Sequence, residues 1–342
     1  MQNFLFYTLT VLIWGSTWIA IKMQLGVIDP VVSVAYRFTL ASVILLLWCY
    51  FRKMKMNFTF KEHIFIALQG TLLFALNYWL FYLCEIYLTS GLAAVIFSTI
   101  IVMNMVNGAI FLKKPFDLRV IIGGILGLCG ISLVFKPELS GLNINLFDLI
   151  DLDNRFNPIY GFYNEGGLNM VNGAVKGIVI CFAATILASL GNIVSARNQK
   201  HGLPVIQTNA YGMTYGAILM ISIALFTGKS FDFVVSIKYI SALIYLSIFG
   251  SIVAFGCYLS LIGRIGPDRA AYSTLLFPIV ALIISTVWEG YHWSNEAIVG
   301  VILILSGNLM MVKKPSFKAL NIKILNWEVV VWLKNRYKVS AC

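Results

Sequence analysis

Charge is scarce in this sequence. Only 11% of its 342 residues are Asp, Glu, Lys or Arg, with 14 acidic residues against 25 basic ones. A soluble domain carries about 25% charged residues, so a water-soluble globule is excluded. The 60% hydrophobic fraction and mean hydropathy of +0.87 call for lipid as the solvent. Histidine is rarer still: His63, His201 and His292 lie in separate connections or span ends. No H-E-x-x-H, G-x-S-x-G or G-x-x-x-x-G-K-[ST] pattern occurs, so hydrolytic and ATP-driven chemistry have no foothold in this chain. Cys49, Cys84, Cys129, Cys181, Cys257 and Cys342 form no C-x-x-C pair, which removes a disulfide framework and a zinc site. No positive segment precedes the first apolar run, so that run reads as a retained helix and not as a signal peptide. The expectation is a non-enzyme with no cofactor and no metal.

What is present is a series of apolar runs. A helix needs about 20 such residues to cross the hydrocarbon, and ten stretches qualify: 4–21, 31–51, 63–84, 91–112, 119–135, 173–195, 206–227, 239–262, 269–288 and 296–312. Asp29-Pro30, Ser90-Gly91, Lys114-Pro115, Gly202-Leu203-Pro204 and Gly266-Pro267 supply turns between them. The net charge of +11 is spread between apolar runs. That pattern argues against nucleic acid and for basic cytoplasmic loops. Arg52, Lys53, Lys55, Lys61, Lys113, Lys114, Arg197, Lys200, Arg264 and Arg269 all fall on one side if the N-terminus is cytoplasmic. Both termini are then cytoplasmic in a multi-pass protein of the cell membrane, most simply a bacterial inner membrane.

Shifted by about 176 residues, the sequence aligns with itself. Gly15 meets Gly191, Ser16 meets Asn192, Tyr82 meets Tyr258, Ala94 meets Ala270 and Gly124 meets Gly300. Five spans per copy is odd, so the second copy enters the membrane from the opposite face. The fold class expected is an all-α integral membrane protein of ten transmembrane helices, arranged as two inverted five-helix repeats. The first repeat covers 1–136 and the second 173–314. Residues 137–172 form an external polar linker, and 315–342 a basic cytoplasmic tail. Inverted repeats are a common construction of secondary transporters, with substrate held near the midplane between the halves.

Polar residues inside the spans are the candidate pathway. Trp14 and Ser16 flank Gly15 in the first span, and Asn192 matches Ser16 in the sixth. Asn77, Phe81 and Glu85 share one helical face in the third, beside Tyr78. Asn104, Tyr258, Tyr272 and Ser273 complete an aromatic, amide-rich cavity of low charge, suited to a small zwitterionic or amphipathic solute. Trp18 and Lys22 read as anchors at the outer interface. Gly123/Gly127, Gly173/Gly177 and Gly212/Gly216 read as close helix contacts. Arg37 is the one arginine well inside a span, and such a charge is costly in lipid. Pairing with Glu85 or Glu289 is favoured over binding a substrate carboxylate or snorkelling. Glu85 and Glu289 are also candidates for proton coupling.

Trp14-Gly15-Ser16, Arg37 within "DPVVSVAYRFTLAS", and "FPIVALIISTVWEG" closing on Glu289 before a span spaced by Gly300 and Gly307 carry a family resemblance. The chain resembles EamA-type members of the drug/metabolite transporter superfamily over roughly 1–315. It departs at Ile101, where the proline of the ninth span would repeat, and at Leu112 or Lys113, where the glutamate would. The resemblance implies a secondary transporter working by alternating access. Its partners are then membrane lipids and a small-molecule substrate, and export of metabolites such as amino acids is the leading direction. Import of a small metabolite, or a non-transporting scaffold or sensor on the same fold, are the alternatives.

Overall fold

The computed structural model describes residues 2–112, 118–134, 136, 168–270, 273–274 and 276–312. All regular structure among them is helical, with no strand. The chain runs through α1 (Gln2–Lys22), α2 (Pro30–Phe51), α3 (Phe60–Gly70), α4 (Asn77–Tyr87), α5 (Ser90–Phe97), α6 (Ile100–Leu112) and α7 (Leu118–Val134). It continues through α8 (Leu168–Lys200), α9 (Val205–Phe226), α10 (Ile237–Tyr245), α11 (Ala254–Ile265), α12 (Pro267–Ala270), α13 (Phe277–Trp288) and α14 (Asn295–Val312). The 137–167 part of the expected linker and residues 313–342, with the expected tail at 315–342, lie outside the described residues; positions 168–172, expected in the linker, already belong to α8.

Seven helical runs are long and apolar enough to cross a membrane: Gln2–Lys22, Pro30–Phe51, Phe60–Tyr87, Ser90–Leu112, Gly173–Lys200, Val205–Phe226 and Ile237–Ile265. The expected fifth, ninth and tenth spans fall on α7, α13 and α14, where the apolar helical stretches are shorter. Leu12, Val43, Ile110, Ile218, Ile283 and Ile302 are exposed on the outside of this bundle while its interior is equally apolar. Helices that are hydrophobic all round belong in lipid, so this is a multi-pass membrane protein.

Local chemistry sets most boundaries. Asp29 accepts a hydrogen bond from Val31 N at 3.0 Å and Pro30 opens α2, an arrangement that suits the missing N–H of proline. Thr59 and Glu62 form a reciprocal capping box at the start of α3. Gly266 ends α11 with φ +88°, a region open to glycine, and Pro267 follows. The expected ninth span, 269–288, is not one continuous helix. α13 begins at Phe277, with Pro278 in its first turn, because proline has no N–H to give to a preceding turn.

Two π-helical segments interrupt the ladder, Thr71–Leu76 between α3 and α4 and Leu246–Val253 between α10 and α11. Ser251 Oγ donates to Leu246 O at 3.0 Å within the second. Single wide turns of this kind are concentrated at functional sites.

Close backbone approach sets the packing. A Cβ on Gly300 would sit 2.5 Å from Gly130 O, so α7 and α14 touch backbone to backbone. α9 lies on α2 and on the first π segment, where a Cβ on Gly216 would meet the backbone of Phe74 at 3.1 Å. α1 packs on α11 and α13, and α8 packs on α4, α5 and α6.

Candidate substrate cavity and its closures

The cavity grows out of the aromatic positions of six helical runs. α1 supplies Trp14, Thr17 and Trp18; α4 supplies Asn77, Tyr78 and Phe81. Phe97 and Ile100 come from α5 and α6, and Ala188 and Asn192 from α8. Phe255 and Tyr258 on α11 and Phe277 on α13 close the ring. The Trp14 ring is 4.8 Å from Tyr258 and 5.0 Å from Phe255, and Trp18 is 5.3 Å from Phe81. The free volume within it is about 40 Å³, room for a few waters at about 10–15 Å³ each.

The polar groups in the wall are few. Asn192 Nδ2 donates to Tyr258 Oη at 3.2 Å and to Asn104 Oδ1 at 3.4 Å. Asn77 is 2% exposed and its Oδ1 has no partner. Asn192 Oδ1 and Asn104 Nδ2 are also left over. An amide–amide contact uses one donor and one acceptor, so whichever way the amides are turned the seam keeps one of each for a ligand.

Of the sequence candidates, Trp14, Asn77, Tyr78, Asn192 and Tyr258 meet around this cavity, with Asn104 bonded directly behind Asn192. Ser16 turns away, donating back to Leu12 O and Ile13 O and lying 2.6 Å from Tyr245 Oη. Ser273 is buried and donates to Ala270 O. Tyr272 lies outside the described residues. Trp18, expected at the membrane interface, is buried in the cavity wall, because its face of α1 meets Phe81 and Phe97 before it meets lipid. Phe81 lies in the wall on the face it shares with Asn77, whereas Phe97, Phe255 and Phe277 were missed as wall residues. Phenylalanine is so frequent here, 24 in all, that only spacing by whole turns from Asn77 or Trp14 distinguishes any of them.

Arg37 is wholly buried. The ion pair expected for it is not formed: among the described residues no carboxylate is within 4.0 Å. Its Nε donates to Ser251 Oγ at 3.0 Å, and its guanidinium carbon lies 4.4 Å from the centre of the Tyr78 ring. Neither Nη atom makes a hydrogen bond. Trp14 Nε1 donates to Gly250 O at 3.1 Å. Arg37 and Trp14 together hold the second π segment against α1 and α2. The sequence had no signal for this, because Ser251 is an ordinary residue of an apolar run.

The two expected partners of Arg37 are engaged elsewhere, at the end of the bundle where α1 finishes. Glu289, just past α13, accepts Ser90 N at 3.0 and 3.2 Å. Ser90 Oγ lies 3.1 Å from Glu289 Oε1 and 3.3 Å from Glu85 Oε2. Lys22 Nζ donates to Glu85 O at 2.5 Å and Leu88 O at 2.8 Å and is 3.9 Å from Glu289 Oε1. Lys22 therefore ties helices together where a lipid anchor was expected. Lys229 and Asp29 form a further ion pair between the end of α9 and the start of α2, at 2.9 Å. The other end is closed by amides. Asn198 Nδ2 donates to Gln69 Oε1 at 3.0 Å and Gln69 Nε2 to Asn209 Oδ1 at 3.4 Å, with Arg197 over the Phe65 ring.

An apolar bundle with a small aromatic cavity and polar clusters between its helices has the build of a membrane transport protein. Residues 3–136 and 175–313 match the EamA-like transporter family, and the chain belongs to that family. Among curated proteins it is 22% identical over 301 residues to Protein PagO of Salmonella typhimurium, covering 88% of this chain and 90% of that one. It is 24% identical over 313 residues to the uncharacterized inner membrane transporter YedA of Escherichia coli K12, covering 89% and 90%. The uncharacterized transporter YoaV of Bacillus subtilis is 22% identical over 305 residues, covering 87% and 92%. A solved crystal structure superposes with a TM-score of 0.61 over 90% of this chain and 95% of the other at 14% identity, a likeness of fold alone.

Proposed function

We propose that this protein is a secondary transporter that exports a small metabolite, with amino acids as the leading class, across the bacterial inner membrane. The halves are 1–136 and 173–314, related as inverted repeats of five spans each, with 137–172 as external linker and 315–342 as cytoplasmic tail. Both termini are cytoplasmic on the positive-inside argument, which puts the Lys22 cluster outside and the Gln69 cluster inside. Transport proceeds by rocking one half against the other around the fixed cavity.

One observation carries this reading. The cavity draws its wall from spans one, three and four of the first half and from spans six, eight and nine of the second. Those are corresponding elements under a two-fold relation. The π segments at 71–76 and 246–253 fall at corresponding places too. A ligand held at such a seam touches both halves and senses their relative movement. The wall favours a solute with an apolar body and a few hydrogen-bonding groups, since its aromatics supply dispersion and its unpaired amide atoms accept or donate. Glu85 and Glu289 are the groups positioned for proton coupling.

The test is purified protein in liposomes loaded with unlabelled amino acid. Uptake of labelled amino acid by counterflow, absent from protein-free vesicles, is the expected result. A scaffold gives no flux with any solute. Movement driven only inwards in cells would replace export with import.

A further inference from the structure

We propose that Glu85, Ser90 and Glu289 form a one-proton binding site, with Glu85 held as the neutral acid while the Lys22 end of the cavity is closed. The argument is a count of hydrogens. Glu85 Oε2, Ser90 Oγ and Glu289 Oε1 stand in a row at 3.3 and 3.1 Å. Two hydrogen bonds along a row of three oxygens take two hydrogens, one for each contact. The Ser90 hydroxyl has one and can point it at only one neighbour. The other must belong to a carboxyl group.

The surroundings decide which. Glu289 also accepts the Ser90 backbone N–H with both oxygens, at the start of α5, where the helix end favours an anion. It is the carboxylate nearer Lys22. Glu85 has 0% exposure, and its Oε1 has no hydrogen-bond partner. An unpaired oxygen of a buried carboxylate costs far more than the carbonyl oxygen of a buried acid. The row therefore reads Glu85 Oε2–H to Ser90 Oγ, and Ser90 Oγ–H to Glu289 Oε1.

Other charged and titratable groups face this site from each packed element. Lys22 comes from α1, Arg37 from α2 and Glu289 from the end of α13; Tyr82 and Cys84 share α4 with Glu85, and Cys181 on α8 adjoins Cys84. Neither cation lies within 4.0 Å of the Glu85 carboxyl. Lys22 donates to the carbonyls of Glu85 and Leu88, and Arg37 donates through Nε to Ser251.

The consequence rests on the alternating-access reading; the proton itself does not. When α13 parts from α4 and α5, water reaches Glu85. A water-exposed glutamate is ionised at neutral pH, so Glu85 Oε2–H gives its proton to water. Closing this end takes one proton up from the adjacent solution. The cluster is then both the clasp and the coupling site.

Infrared spectroscopy of the full-length protein in liposomes at neutral pH tests this without any substrate. The expected result is a protonated-carboxyl C=O stretch, sensitive to deuterium exchange, that disappears in Glu85→Gln. The glutamine N–H replaces the acid O–H toward Ser90, so the fold is kept. Should that variant not fold, Glu85→Asp serves, and the band must shift. No such band in the unsubstituted protein overturns the proposal, as does a band that survives Glu85→Gln or stays unmoved in Glu85→Asp. A protein that shows the band yet moves no solute keeps the proton site and loses the transport reading.

Discussion

Gly300→Ala tests the backbone contact between α7 and α14 most directly. The added Cβ would lie 2.5 Å from Gly130 O, 2.7 Å from Val134 Cγ2 and 2.9 Å from Val134 N. Two of these are backbone atoms, which cannot swing aside. An ordinary contact is about 3.5 Å, so the helices must part by about 1 Å. A gap of that size forfeits about a quarter to a half of each dispersion contact along the seam. Overpacking of this kind costs roughly 1–3 kcal/mol. The matched control is Gly256→Ala in α11, whose Cβ would meet nothing within 4 Å. There the gain in helix propensity is up to about 1 kcal/mol. Both sites are helical, so that gain is common to the two alanines and they should differ by the overpacking cost, about 1–3 kcal/mol. At about 2 °C per kcal/mol for a protein larger than 150 residues, thermal unfolding in detergent should separate them by about 2–6 °C. Equal Tm values, or a more stable Gly300→Ala, would refute the backbone packing of these helices.

Three further outcomes follow from the site. Arg37→Lys keeps the charge but loses the planar stack on Tyr78 and the Nε bond to Ser251, and should cost roughly 1–3 kcal/mol by thermal unfolding; an unchanged Tm contradicts that geometry. Trp14→Phe retains the ring contacts and deletes only the donor to Gly250 O, so about 1 kcal/mol should be lost, and a loss as large as that of Trp14→Ala would show that the bond, not the ring, holds the π segment. Asn192→Leu removes the links to Asn104 and Tyr258, and should lower counterflow at least about tenfold while leaving the protein folded, since one lost substrate hydrogen bond is worth about 1.4 kcal/mol or more; full activity would take Asn192 out of the pathway.

The membrane class, seven of the ten expected spans and the family were legible in the residues alone, because hydropathy over about 20 residues is a property of the chain and not of its partners. Part of the cavity was legible for a related reason. Asn77, Asn192 and Tyr258 are polar where polarity is costly, so they identify the faces turned inward. The ion pair of Arg37 was not legible. Its charge said that it needed company, and Ser251 and Tyr78 answer that need as well as a carboxylate does. Lys22 had the look of an interface anchor until the carbonyls of Glu85 and Leu88 were found above it.

The sequence by itself determined the solvent of this protein, several of the caps and turns that bound its helices, and which residues lipid would not tolerate. Only the tertiary structure decided which apolar face meets a neighbour and which meets lipid, because a helix that is hydrophobic all round has no periodicity to report it. It alone set Glu85 and Glu289 on either side of one serine hydroxyl. That juxtaposition joins residues about 200 positions apart, and no local pattern encodes it. Their separation in the chain is bridged by the packing of α13 on α5, where Gly91 meets Leu282.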